Sequence, residues 1–395
     1  MNAPLEKAPV GKPIVQTYEM LSKGQREAMR RIASHEDATV PQIEATRPAS
    51  IFLSQERFDE EQAHIFKKRA IPLTISALLP EPGMAMGHES TGLPLIVSRD
   101  REGKAHVFLN ACQHKGAKLL ETCEVVKSGR MTCPYHAWTF GVDGKLIGVA
   151  RAETFINLDK SKRNLAELPS KEQGGIIWVM LDRHAEPDFS SLVPELGEDL
   201  DALEIGTAHV YGRKSFDVKA NWKLVLEPFL EGYHVQRLHA STVGPLYADV
   251  PNVVDKLGPT VRQISGKVNF TPSDLEIPGE NIHKTVTTVY NIFPNCVVIT
   301  SPWYISVMIL HPRGPDRTIV DYHNLTRVAP DNPKAEALYK TSYDMVLDVF
   351  GNEDYRAAEI SHAGLSTGAL DTVVYSGLEA TVPIYYEILE SYLPK

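Results

Sequence analysis

A chain of 395 residues with 43% hydrophobic content can bury at least one large core, and at roughly 150 residues per domain it has room for two or three domains. Its 41 basic and 50 acidic side chains leave a net charge of -9, a field that repels phosphate backbones and anionic membranes and so excludes nucleic acid as an expected partner. Apolar runs such as GGIIWVML at 174–181 are too short to span a bilayer, and MNAPLEKAPV holds no signal-peptide core, which predicts a soluble, cytoplasmic protein with no membrane partner.

Residues 1–50 read as an N-terminal extension, with one amphipathic helix over YEMLSKGQREAMRRIASHED and a linker at VPQIEATRPAS. Residues 51–93 lead into a larger unit. From 94 to 186 short β-rich runs alternate with turn residues, and in LPLIVSRDREGKAHVFLN the Asp-Arg-Glu-Gly turn joins two strands of a hairpin. From 187 to 395 the pattern is coarser. A helical stretch near 221–239 precedes strands at TVTTVYNIF, NCVVIT, YISVMILH and RTIVDYHNLTRV. A helix then starts where Asp331 or Asn332 caps it and Pro333 fills its first turn. Leu338, Met345, Val346, Val349 and Phe350 form its core-facing stripe. The fold class is α+β with a β module.

Four cysteines are too few for a disulfide scaffold and point to metal or redox use, with Cys123 and Cys296 expected to pack as small hydrophobes. Cys112-x-His114 and Cys133-x2-His136 are separated by eighteen residues. Zinc accepts two thiolates and two imidazoles in a closed site, and so competes with a two-iron cluster. Zinc fingers segregate a cysteine pair from a histidine pair, whereas each arm here holds one of each. That suits two loops clasping a cluster from opposite sides. With Pro134, Tyr135, Trp138 and the turn Asp143-Gly144, the pattern resembles the Rieske motif and implies a [2Fe-2S] cluster bound by Cys112, His114, Cys133 and His136. The family usually has Arg and Gly where this chain has Lys115 and Ala137.

In NWKLVLEPFLEGYHVQRLHAST, Glu231 and His234 lie about 60° apart on an ideal helix, and His234 and His239 about 140° apart. Both imidazoles reach one metal only where the helix distorts or ends, which Gly232 eases. Asn221-Trp222-Lys223, Glu231, His234 and His239 together resemble the mononuclear-iron motif of Rieske non-haem iron oxygenases, the large (alpha) subunits of ring-hydroxylating systems. The resemblance implies Fe(II) on His234, His239 and a carboxylate in FGNEDYRAAEISHAGLS. Asp354 is the choice, because it follows Phe350 by four and Val346 by eight; Glu353 is second. Catalytic roles by resemblance fall to Asn221 and to Glu231, which bridges His234 and the cluster ligand His136 of a neighbouring subunit. Many ring dioxygenases have Asp at that bridge, and Glu resembles the branch that oxidises quaternary ammonium compounds. Pro228 stands where the family often has Asn.

The resemblance covers about residues 50–370. It implies a Rieske domain over 94–186 and, over 187–395, a catalytic domain whose antiparallel sheet is backed by helices. It also implies hydroxylation or dihydroxylation of a small organic, aromatic substrate by dioxygen; demethylation or quaternary-ammonium oxidation is the alternative, and a pure electron-transfer protein a second. Electrons from NAD(P)H arrive through a separate reductase or ferredoxin, since no GxGxxG unit is present. Lys115, Lys118, Lys127 and Arg130 surround the cluster loops as a docking patch. Trp303 and Tyr304 are candidates for stacking on the substrate. The assembly implied is a homotrimer.

Overall fold

The computed structural model describes residues 12–394. Seven strands pair antiparallel in the order His209–Val218, Arg317–Thr326, Ile305–Gly314, Cys296–Thr300, Val286–Ile292, Thr260–Gly266 and Val253–Leu257. Gln263 faces Val289, Val289 faces Ile299 and Ile299 faces Ser306, so these four share one face of the sheet. Ile309, His311, Asp321 and His323 point to the other.

The helix Pro333–Asp348 covers the first face. Asn332 is its cap, accepting from the amides of Lys334 and Ala335. Val346, Val349 and Phe350 are buried, and Tyr322 of the sheet packs on Phe350 and Tyr343. Leu338 and Met345 depart from the expected stripe: both are exposed, and Tyr339, packed on Tyr211, takes the inward position beside Leu338.

A smaller β unit carries the cluster motif. One sheet has the order Ala105–Leu109, Leu95–Arg99, Met84–His88 and Val126–Lys127, and a second joins Arg130–Thr132, Thr139–Gly141 and Leu146–Gly148. The hairpin at 95–109 forms as expected. A boundary at residue 94 cuts this unit, because Met84–His88 lies inside its first sheet, bonded on both sides. One side of it forms a small core of its own, with Ile96, Phe108, Met131, Trp138 and Phe140 buried together, while Met86, Leu95, Val97 and Val107 join the main core.

The expected long N-terminal helix is shorter. Ser22 accepts from the Gln25 amide and Gln25 bonds back to Ser22, a capping box that starts the helix at Lys23; it ends at Met29. Tyr18, Ala28 and Met29 pack on Ile264, Ile282 and Val286 of the large sheet's region. No described helix is long and apolar enough to cross a membrane.

Candidate active site

The stretch 221–239 breaks into pieces, and the break builds the site. A helix over Trp222–Leu226 tightens at Glu227–Leu230, where Pro228 cannot continue the α-helical bonding; Glu231 is then extended, and a last turn spans Val235–Leu238. Uncoiling brings together imidazoles that a regular helix holds apart. The Nε2 atoms of His234 and His239 lie 3.6 and 3.2 Å from Oδ1 of Asp354, and their rings are 5.1 Å apart.

Asp354 comes from the far end of the chain. Between the helices Pro333–Asp348 and Tyr355–Leu365 the backbone widens into a π-helical turn, Val349–Asp354. That turn directs two consecutive acids at one place. Asp354 is buried and its Oδ1 has no hydrogen-bond donor, an arrangement that costs several kcal/mol unless a cation completes it. Glu353 instead accepts from Nδ1 of His239 at 2.6 Å and from the Thr242 hydroxyl at 2.8 Å. Glu231 does the same for His234, at 2.6 Å from Nδ1. Both imidazoles therefore carry a carboxylate on the outer nitrogen and turn the inner one toward Asp354, as metal-ligating histidines do. Burial opposes a charge on His239, yet Asp354 and Glu353 raise its pKa, so the field at the site favours a cation.

The site opens into a cavity of about 170 Å³. Phe229, Tyr247, Tyr304 and Phe350 supply aromatic walls, while Ser265, Thr287 and Ser306 supply hydroxyls from the sheet. Trp303 is not part of that lining, so of the two aromatics expected there only Tyr304 contributes. Among the described lining residues none is Lys or Arg.

In the β unit Cys112 and Cys133 are buried, and the imidazoles of His114 and His136 meet with ring centroids 4.6 Å apart. Burial raises the pKa of Cys112 and the adjacent Cys133 adds to it, so a Cys112 thiolate needs a positive centre beside it. Nδ1 of His114 and Nδ1 of His136 are both buried without a partner. Trp138 stacks on His114 at 5.0 Å with the rings 8° from parallel, and Phe155 meets both edge-on. The second loop closes through Ala137 N to Cys133 O at 3.0 Å and Cys133 N to Trp138 O at 2.8 Å. Ala137 has φ +55°, the left-handed conformation that glycine adopts freely.

Three other expectations fall elsewhere. Asn221 does not reach the cavity: its side chain accepts from the Lys223 amide and donates to the Pro315 carbonyl at 3.0 Å, so it caps a helix and is removed from the catalytic set. Cys123 is exposed, because its loop lies outside both sheets of the β unit. Lys118 and Lys127 are neutralised in part by Glu89 and Glu81, which leaves Lys115 and Arg130 as the stronger half of the basic patch. The pairing of Glu353 with His239 was missed; the acidic doublet was its one visible signal.

Comparison with known proteins converges on both centres. The model for the Rieske [2Fe-2S] domain matches residues 72–161, and that for the ring hydroxylating alpha subunit (catalytic domain) matches 205–395. Choline monooxygenase of Spinacia oleracea is 28% identical over 73% of this chain and 65% of its own length. Anthranilate 1,2-dioxygenase large subunit of Acinetobacter baylyi is 32% identical over 49% and 42%. The chain thus spans less than two thirds of the length of these relatives. Among solved structures, a quaternary ammonium Rieske monooxygenase in complex with L-carnitine superposes with a TM-score of 0.76 at 20% identity, covering 92% of this chain and all of that one. Naphthalene 1,2-dioxygenase from a Rhodococcus species gives 0.72 at 22%, covering 88% and 94%. By these two matches the chain joins a Rieske [2Fe-2S] domain to the catalytic domain of a ring hydroxylating alpha subunit, and it shares its fold with Rieske oxygenases of known structure.

Proposed function

We propose that the chain is a terminal oxygenase that uses dioxygen and reducing equivalents from NAD(P)H to hydroxylate or dihydroxylate a small organic substrate. The observation that carries this reading is the convergence of His234 Nε2, His239 Nε2 and the unpartnered Asp354 Oδ1 beside a cavity. These three residues would hold the iron; Cys112, His114, Cys133 and His136 would hold the cluster. When bound, the iron supplies dioxygen binding and reduction, and the cluster supplies single electrons.

The protein groups position and exclude. Glu231 and Glu353 fix each imidazole's tautomer by accepting its Nδ1 proton, which keeps both Nε2 lone pairs available. Aromatic walls exclude water and grip an apolar ring or an alkylammonium group. A cavity of about 170 Å³ suits a single-ring substrate, since an apolar cavity of roughly 150 Å³ takes benzene. With no cation in its described lining, the cavity selects neutral or cationic molecules over carboxylates. Electrons enter from a reductase or ferredoxin that docks near Lys115 and Arg130, beside the half-exposed imidazoles of the cluster motif. The subunits close into a homotrimer that places each cluster beside a neighbour's iron.

The test is a metal count joined to oxygen uptake. Native protein should hold three irons per chain and consume dioxygen with a surrogate reductase, on a panel spanning neutral aromatics and quaternary amines. His234→Ala should lower iron to two per chain and uptake to background while the cluster's electron-resonance signal stays. Loss of that signal in the variant would refute the assignment of His234.

A further inference from the structure

On the back of the seven-stranded sheet, away from the cavity, lies a second group of two imidazoles and one carboxylate. His311 and Asp321 stand diagonally across adjacent strands, since Ile309 faces Asp321 and Ile319 faces His311. His88 reaches them from the last position of Met84–His88, in the sheet of the cluster-bearing unit. Their ligand atoms all lie within 4.8 Å of one another. The Nε2 atoms of His88 and His311 are 3.5 and 3.3 Å from one oxygen, Oδ2 of Asp321.

These contacts are not hydrogen bonds. Both Nε2 atoms are buried without a hydrogen-bond partner, and so is Nδ1 of His88, although His88 and His311 are 4% and 2% exposed. Ligand atoms held about 2.1 Å from a tetrahedral centre lie about 3.4 Å apart, which both spacings match. The arrangement also repeats that of His234, His239 and Asp354. There the nitrogen-to-oxygen distances are 3.6 and 3.2 Å with the rings 76° apart; here the rings are 5.2 Å and 72° apart. A path from solvent exists, because His88 and Asp321 line an open cleft with His323, Glu89, Cys123 and Glu124.

We propose that His88, His311 and Asp321 bind one divalent transition-metal cation, of the zinc class, which pins the cluster-bearing unit to the back of the catalytic sheet. Imidazole and carboxylate ligands suit zinc, and three protein ligands leave a position open toward the cleft. The site is remote from substrate and supplies rigidity. It holds the cluster in a fixed relation to the sheet that carries the cavity on its other face.

The test uses untagged full-length protein in which His234→Ala and His239→Ala remove the iron site, so the outcome does not depend on the function proposed above. After chelator dialysis, the protein is equilibrated with zinc chloride alone and analysed for zinc, with two cluster irons per chain as the check on integrity. One zinc per chain is expected, falling at least tenfold when Asp321→Asn is added. Zinc binding that is equal in the two proteins, or absent from the first, overturns the site. If Asp321→Asn does not fold, His88→Gln replaces it and is read in the same way. Zinc should also raise the unfolding temperature of the parent and leave that of the His88→Gln protein unmoved; an equal rise in both overturns the proposal as well.

Discussion

Ala137 occupies a backbone conformation that costs a residue with a Cβ about 1 kcal/mol or more, at the turn that carries Cys133 and His136. Glycine removes that strain and adds freedom to the unfolded chain, which returns part of the gain. Ala137→Gly should therefore raise the temperature at which the visible absorbance of the cluster is lost by roughly 1–3 °C. An unchanged or lower midpoint would show that the turn is not strained. At this scale the cluster motif was legible because its ligands come in two short arms. The His234, His239 and Asp354 set was legible in part. The two histidines share a motif, whereas Asp354 had to be chosen from a doublet whose members both turn inward. His88, His311 and Asp321 were not legible, since sheet pairing alone brings them together and no spacing along the chain announces it.

The Asn221-Trp222-Lys223 run marks an element junction more than a reaction site. Glu61, fully buried at the end of the helix Gln55–Glu61, accepts from Lys223 Nζ at 2.7 and 2.9 Å, from Trp222 Nε1 at 2.8 Å and from Arg57 at 2.9 Å. This buried knot ties residues 55–61 to the helix from which the iron-site segment hangs. Lys223→Met strands part of the charge on Glu61 and should cost about 3–5 kcal/mol in urea unfolding. Lys223→Met with Glu61→Leu should cost less than Lys223→Met alone, because no unpaired charge stays behind. Simple addition of the two single effects would mean the groups are not coupled. The four strands between residues 286 and 326 and the hairpin at 95–109 followed from period-2 patterning, whereas the order of strands in the sheet did not. The helix over 221–239 did not, because helical periodicity continues through Glu231 while Pro228 and Gly232 let the backbone leave it.

For the whole molecule, the role proposed for Glu231 concerns how electrons travel between subunits. Its carboxylate is only partly buried and holds the outer nitrogen of His234, so it faces both the iron site and the protein surface. In the homotrimer proposed above, that surface would meet a neighbour's cluster imidazoles. Glu231→Gln should leave iron content and assembly intact while transfer from reduced cluster to iron collapses. Mixing that variant with one lacking Cys112 should restore part of the activity, since some junctions then join an intact cluster to an intact Glu231 and iron. Full turnover by a monomer, or no recovery despite proven subunit exchange, would place the electron path within one chain. Subunit contacts were not legible in composition, because net charge describes a field and names no surface.

The π-helical turn at Val349–Asp354 has a consequence for how this site can vary. Adjacent residues on an α-helix diverge by about 100°, yet here Glu353 supports one imidazole while Asp354 faces both. The widened turn accommodates the extra residue that makes this possible. Side chains around it can be exchanged without disturbing that aim, whereas gaining or losing a single residue would rotate every carboxylate beyond it. What the iron site requires between Val346 and Tyr355 is thus a length of chain as much as a choice of amino acids.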